Sequence, residues 1–224
     1  MAPIEQFTKT YRFAMTACSP AVRWWGRLTV EGLEHLPEDG PVLLAGNHDS
    51  HWDPVAIGVA GRPRRQIRAL AKASMWKRPG LRHILDGMGQ IPIERGAGDV
   101  GALDAATAEL RGGACIGIFP EGTLTRGKVL RARSGIGRLA QNVPEAQVVS
   151  CRVTGTVDLV RGPFTRPRIH VAFFPPAGGQ LQPGEDHKAF AQRLLTEIRE
   201  AAPPVPAGRK AGRAARKAAG EDAA

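Results

Sequence analysis

Short apolar runs recur along this chain near 27–31, 41–46, 67–71, 90–94, 115–119, 147–153 and 168–173. The segments between them carry helical spacing near 54–60, 76–86, 99–111, 134–141 and 185–202. A short apolar run bounded by turn residues suits a strand buried on both faces, and three-and-four spacing suits a helix that covers it. Strands alternating with helices predict an α/β fold: a single domain with a mixed, largely parallel central sheet flanked by helices. At 224 residues, 42% of them hydrophobic, the chain is long enough to bury one sizeable core. A membrane-spanning helix needs about 18 consecutive apolar residues. The longest apolar candidates, such as Val42-Leu43-Leu44-Ala45, fall far short, which excludes an integral multi-span protein.

The two ends differ from this body. Ile4, Phe7, Tyr11, Ala14, Cys18, Val22 and Trp25 form an amphipathic stripe, so residues 1–26 are expected to be helical. Ser19-Pro20 reads as an N-cap and first-turn proline, which predicts two helices there rather than one. Two uses of the stripe stay open: an interfacial helix with Phe13, Trp24 and Trp25 at headgroup level, or a face packed on the core. From Pro203 onward the composition turns to Pro, Ala, Gly, Lys and Arg without periodicity. The expected division is therefore 1–26 amphipathic helices, 27–202 the main domain and 203–224 a basic disordered tail. The opening Met1-Ala2-Pro3-Ile4-Glu5 lacks the apolar run of a signal peptide. Cys18, Cys115 and Cys151 are far apart and odd in number, which argues against a disulfide framework and for a cytoplasmic compartment.

Lys and Arg total 31 against 21 Asp and Glu, a net charge of +10 that points to anionic partners: nucleic acid, a phospholipid surface or a phosphorylated substrate. The charge is concentrated. No acid falls between Asp53 and Asp86, where Arg62, Arg64, Arg65, Arg68, Lys72, Lys77, Arg78 and Arg82 lie. None falls between Glu121 and Glu145, where Arg126, Lys128, Arg131, Arg133 and Arg138 lie. A basic run is ordinarily just a solvated face, but each of these adjoins a cluster with chemical potential.

The sharpest cluster is Asn47-His48-Asp49-Ser50-His51-Trp52-Asp53-Pro54, which follows the run 41–46. Imidazole is the natural general base near neutral pH, and a carboxylate fixes its tautomer. Asp53 before Pro54 also reads as a helix N-cap followed by an N1 proline, and one carboxylate has oxygens for both tasks. His48, His51 and Asp53 as metal ligands is a lesser reading, because no further ligand set is evident. A second cluster, Ile118-Phe119-Pro120-Glu121-Gly122-Thr123, offers a carboxylate, an unobstructed backbone and a hydroxyl at a strand end. The third, Gly89 to Arg95, ends a short strand on an arginine suited to bidentate phosphate contact.

In this order, over roughly residues 28–160, the clusters resemble the glycerophospholipid acyltransferase family. Asn47-His48, four residues and Asp53 are similar to its catalytic block, Gly89–Arg95 to its second, Phe119–Thr123 to its third and Val148–Gly155 to its fourth. Two departures stand out: Leu124 where the third block commonly continues with Arg, and Ser150 where the fourth usually has Pro. The resemblance implies a glycerol-3-phosphate acyltransferase-like fold and O-acylation of 1-acylglycerol 3-phosphate to phosphatidic acid, with acyl-CoA or acyl carrier protein as donor. His48 would take the acceptor's proton and Asp53 would orient the ring. Arg95, helped by Lys72, would hold the acceptor phosphate, and Glu121, Gly122 and Thr123 would contribute to acceptor binding. No metal or organic cofactor is implied. Oxyanion donors would come from the start of helix 54–60 or the 121–123 loop. The expected setting is peripheral, on an anionic membrane surface at the inner face of the plasma membrane. Leu124 keeps another acceptor open: glycerol 3-phosphate, a different lysophospholipid or a glycolipid. A metal-dependent hydrolase and a nucleic-acid-binding protein are lesser readings, the latter without any RNA- or DNA-binding motif to support it.

Overall fold

The computed structural model describes residues 7–94, 99–160 and 167–205. Its seven strands are β1 (Thr29–Glu31), β2 (Val42–Gly46), β3 (Ile67–Lys72), β4 (Ile91–Ile93), β5 (Cys115–Ile118), β6 (Gln147–Thr154) and β7 (His170–Phe174). They form one sheet in the order β1-β7-β6-β2-β5-β3-β4. Every neighbouring pair is parallel except β6 and β7. The expected mixed, largely parallel sheet is therefore observed, and each strand overlaps one of the apolar runs.

The sheet's centre shows why continuous apolar runs were the right signal. Every residue of β2 is buried. Val42 and Leu44 join one core cluster while Leu43 and Ala45 join the other, the alternation that a pleated strand imposes. On the first face the cover is α1 (Lys9–Ser19) and α2 (Asp53–Gly61), through Tyr11, Met15, Ile57, Val59 and Ala60. On the second it is α4 (Val100–Arg111), α5 (Gly135–Asn142) and α6 (His187–Ala201), through Leu110, Ile136, Leu139, Phe190, Leu194 and Ile198. Cys115 and Cys151 are buried in this core, where desolvation pushes both thiols well above their ordinary pKa and leaves them as small hydrophobes.

The N-terminal stripe packs on the core. Tyr11, Met15 and Val22 are fully enclosed, and the Tyr11 hydroxyl donates to the Gly58 carbonyl at 3.3 Å while accepting from Ile67 N at 3.4 Å. This close approach needs a glycine in α2, because a Cβ on Gly58 would lie 2.8 Å from Met15 Sδ and 3.2 Å from the Tyr11 hydroxyl. The aromatics on the other side, Phe13 and Trp24, are 75% and 81% exposed. Of the two expected uses, packing on the core is the one observed, through the inner residues of the stripe.

Two helix boundaries differ from the sequence reading. Ser19 is no N-cap: it has helical dihedrals, and its hydroxyl donates back to the Met15 carbonyl at 2.8 Å. The backbone continues through Pro20 as a π-helical turn, Pro20–Trp25, closed by Gly26 N to Ala21 O at 2.9 Å. One helical run with a change of winding replaces the two expected helices. A wider turn absorbs the missing proline N–H without ending the run. The expected helix 76–86 is likewise divided into a 3-10 turn, Ala73–Lys77, and α3 (Pro79–Gly87). Arg78 is extended, as a residue before proline prefers, so the α-helix starts at Pro79.

Candidate active site

Because β6, β2, β5, β3 and β4 run parallel, their C-terminal ends share one edge of the sheet. The loops leaving them bring together residues far apart in sequence, as open α/β sheets generally do at this edge. Asn47 and His48 follow β2, Phe119–Thr123 follow β5, and Thr156 follows β6.

His48 and Asp53 are both buried, and His48 Nδ1 lies 3.2 Å from Asp53 Oδ2. A carboxylate only accepts, so the contact places the imidazole proton on Nδ1 and leaves the Nε2 lone pair available. The ring is stacked on Phe119, with centroids 4.1 Å apart and planes 14° from parallel. Asp53 is the first residue of α2 rather than its N-cap, which is Trp52. Its carboxylate reaches backward instead, accepting from Asp49 N at 2.6 Å and Ser50 N at 2.7 Å, while its other oxygen accepts from the Thr156 hydroxyl. The N-cap role is therefore corrected: the intervening turn folds back over Asp53 and supplies the donors. A carboxylate held by three fixed donors besides the ring is oriented with little freedom. His51 in the same turn is exposed. Among the described residues, no three His, Cys, Asp or Glu side chains come together as metal ligands.

Asp49 and Glu121 share a partner that the motifs did not reveal. Arg199, in the last turn of α6, donates from Nη1 to Asp49 Oδ2 at 2.8 Å and from Nη2 to Asp49 Oδ1 at 3.2 Å. It also donates to Glu121 Oε1 from Nε at 2.7 Å and from Nη2 at 2.5 Å. Thr125 adds its hydroxyl to Asp49 and its N–H to the His48 carbonyl at 3.0 Å. Glu121 is buried, its second oxygen has no hydrogen-bond partner among the described residues, and desolvation pushes its pKa above the usual carboxylate range against the pull of Arg199. Asn47 ties the same loop to β6, donating to Val153 O at 2.7 Å and accepting from Val153 N at 2.8 Å.

Beside this edge lies a cavity of about 250 Å³. Leu70, Ile93, Leu103, Ile118 and Phe119 form its apolar wall, and Gly122, Arg133 and Arg138 also line it. Phe119 thus both lines the cavity and stacks on the His48 ring. Arg133 is set against the third block: its N–H donates to Pro120 O at 2.7 Å, and its stem crosses Gly122, where a Cβ would lie 3.1 Å from Arg133 Cγ. Neither Arg133 nor Arg138 has an ion-pair partner among the described residues. The nearby Asp99 is occupied as the N-cap of α4, held below the usual carboxylate range by the N–H groups of Glu94 and Ala102.

Of the residues singled out in the sequence, His48 and Asp53 are in contact. Gly122 lines the cavity, whereas Glu121 turns to Arg199 and does not. Thr123 is exposed, and the Gly122 N–H is engaged by the Phe119 carbonyl at 2.9 Å, which removes it from the expected oxyanion donors. Lys72 is exposed at the end of β3, in register with Ile93. Arg95 lies outside the described residues, as does most of the expected tail.

A family model described as Acyltransferase matches residues 27–154. The chain is similar to the 1-acyl-sn-glycerol-3-phosphate acyltransferase of Bacillus subtilis, with 26% identity over 126 residues, covering 56% of this chain and 63% of that protein. It is also similar to the 1-acyl-sn-glycerol-3-phosphate acyltransferase of Borreliella burgdorferi, with 34% identity over 122 residues, covering 50% of this chain and 46% of that one. In both cases the match spans less than two thirds of the relative's length. Among solved structures, the 1-acyl-sn-glycerophosphate (LPA) acyltransferase PlsC from Thermotoga maritima shares the fold, with a TM-score of 0.66 at 20% identity over 85% of this chain and 78% of that one.

Proposed function

Since this chain belongs to the acyltransferase family, we propose that it transfers a fatty acyl group from acyl-CoA or acyl carrier protein to the free hydroxyl of 1-acylglycerol 3-phosphate, giving phosphatidic acid. The observation that carries the reading is the buried His48–Asp53 pair, with Nδ1 committed to the carboxylate and Nε2 left as base. His48 Nε2 takes the acceptor's hydroxyl proton as that oxygen bonds to the thioester carbonyl carbon. Collapse of the tetrahedral intermediate breaks the carbon–sulfur bond, and the proton passes from His48 to the departing thiolate. Asp53 stabilises the imidazolium formed in between, much as a triad carboxylate does, with the substrate's own hydroxyl as nucleophile.

An amphiphilic acceptor fits the cavity's chemistry: an apolar wall, with Arg133 and Arg138, which have no ion-pair partner among the described residues, lining it together with Glu94 and Asp99. Arg95, with Lys72, is assigned to the acceptor phosphate, and Arg133 adds positive charge next to Gly122. The described residues contain no helix long and apolar enough to cross a membrane. The reading therefore has the protein reach its lipid from the surface, at the inner face of the plasma membrane, through Phe13 and Trp24 and the exposed basic side chains. Leu124, in place of the usual third-block arginine, favours keeping a second acceptor class under test. A panel of lysophosphatidate, other lysophospholipids, glycerol 3-phosphate and glycolipid, each offered with radiolabelled acyl-CoA and acyl carrier protein, decides the matter. Labelled phosphatidic acid is the expected product. Transfer to none of these acceptors, or release of free fatty acid alone, overturns the proposal.

A further inference from the structure

The loops that carry His48 and Glu121 are fastened from a part of the chain beyond residues 27–154. Arg199 uses every N–H of its guanidinium there: one on Nε to Glu121, two on Nη1 to Asp49 and the Ala202 carbonyl, two on Nη2 to Asp49 and Glu121. Asp49 in turn donates its N–H to Asp53 Oδ2 at 2.6 Å, the oxygen that faces His48 Nδ1. Thr125 bridges the same elements by bonding both Asp49 and the His48 carbonyl.

We propose that Arg199 is a positioning residue for acyl transfer, joining the loop after β2 to the loop after β5 and so fixing His48 relative to the cavity. The inference rests on His48 being the base. Its physical ground is that a planar fork with two carboxylates sets angle as well as distance, which a point charge cannot do. A base displaced by about 1 Å loses on the order of 10² in rate, so a clamp one residue away from it has kinetic consequences. Arg199 lies against Asp49 and Glu121 and not in the cavity lining, so its effect belongs in kcat rather than in substrate affinity.

The test measures kcat and KM for donor and acceptor in R199A, R199K and D49N, with circular dichroism and melting as the check on folding, and H48A in parallel. D49N keeps the shape of Asp49 but removes its charge. Expected are folded proteins with kcat reduced on the order of ten- to a hundredfold, both KM values within about threefold of the parent, and partial recovery in R199K. A folded R199A with parental kcat overturns the proposal, and so does a rise in acceptor or donor KM at unchanged kcat, which would make Arg199 a binding residue. If R199A does not fold, D49N decides: parental kcat in that variant overturns the clamp. Full activity in H48A would instead remove the reading of the base, a result distinct from any of these.

Discussion

His48 and His51 stand in the same turn and differ in everything that matters to a base. One ring is buried, stacked on Phe119 and hydrogen-bonded to a carboxylate, and the other is exposed. H48A is therefore expected to lower kcat by about 10²–10⁴, the usual worth of a general base, while H51A stays near the parent. Equal loss in both variants, or recovery on adding zinc, would shift the reading to a metal site. A second expectation concerns the phosphate. If Arg95 and Arg133 hold the acceptor phosphate as proposed, R95A and R133A each remove a charge-assisted contact worth about 1.5–3 kcal/mol when fully formed, so acceptor KM should rise about tenfold or more while donor KM holds. Loss in donor KM alone would place that arginine on the phosphates of coenzyme A. The His48–Asp53 spacing was legible because both partners fall within one turn. Arg199 and Thr156 were not, since their partners lie 150 and 103 residues away, and only the fold brings them close.

Among the elements, the strands were read almost to the residue, because a strand buried on both faces leaves an unbroken apolar run bounded by turns, as β2 does. The misreadings fell at prolines. At Pro20 the sequence predicts a boundary that a π-helical turn traverses, and Pro79, expected inside a helix, begins one. The N-terminal stripe posed a different difficulty, since periodicity shows that a face is apolar and not what covers it. The structure assigns its inner residues to the core, and burying each such side chain contributes about 1.5–3 kcal/mol. Removing Tyr11, Met15 and Val22 together thus costs several kcal/mol, a large part of a typical domain's stability of about 5–15 kcal/mol. Deleting residues 1–26 is accordingly expected to lower the melting temperature sharply or to unfold the protein. Replacing the exposed Phe13 and Trp24 by Ala should leave melting nearly unchanged and weaken co-sedimentation with vesicles. Unimpaired sedimentation of that double variant would show that the outer aromatics do not meet the membrane.

At the scale of the whole molecule, the +10 charge is not all available to a surface. Part of the first basic block is structural. Arg65 donates to the carbonyls of Pro37, Asp39, Gly40 and Gly113, Arg64 donates to Leu36 and pairs with Glu38, and Arg68 pairs with Glu109. What remains exposed includes Lys72, Lys77 and Arg78 at the end of β3 and after it, and Arg126, Lys128, Arg131, Arg133 and Arg138 after β5. Both groups belong to the edge of the sheet that carries His48, because β3 and β5 are parallel neighbours. These exposed charges thus lie at the edge of the sheet that carries the site. Near an anionic lipid surface each such residue contributes on the order of 1 kcal/mol, and the attraction is screened within about 8 Å at physiological salt. Binding to vesicles rich in anionic lipid should consequently fall steeply between low and high ionic strength, with little binding to neutral vesicles at any salt. Apolar insertion by Phe13 and Trp24 responds weakly to salt, so the fraction surviving at high salt should disappear in their double alanine variant. Salt-independent binding of the parent to neutral vesicles would leave the basic edge without a membrane role, and would assign its arginines to substrate phosphates alone.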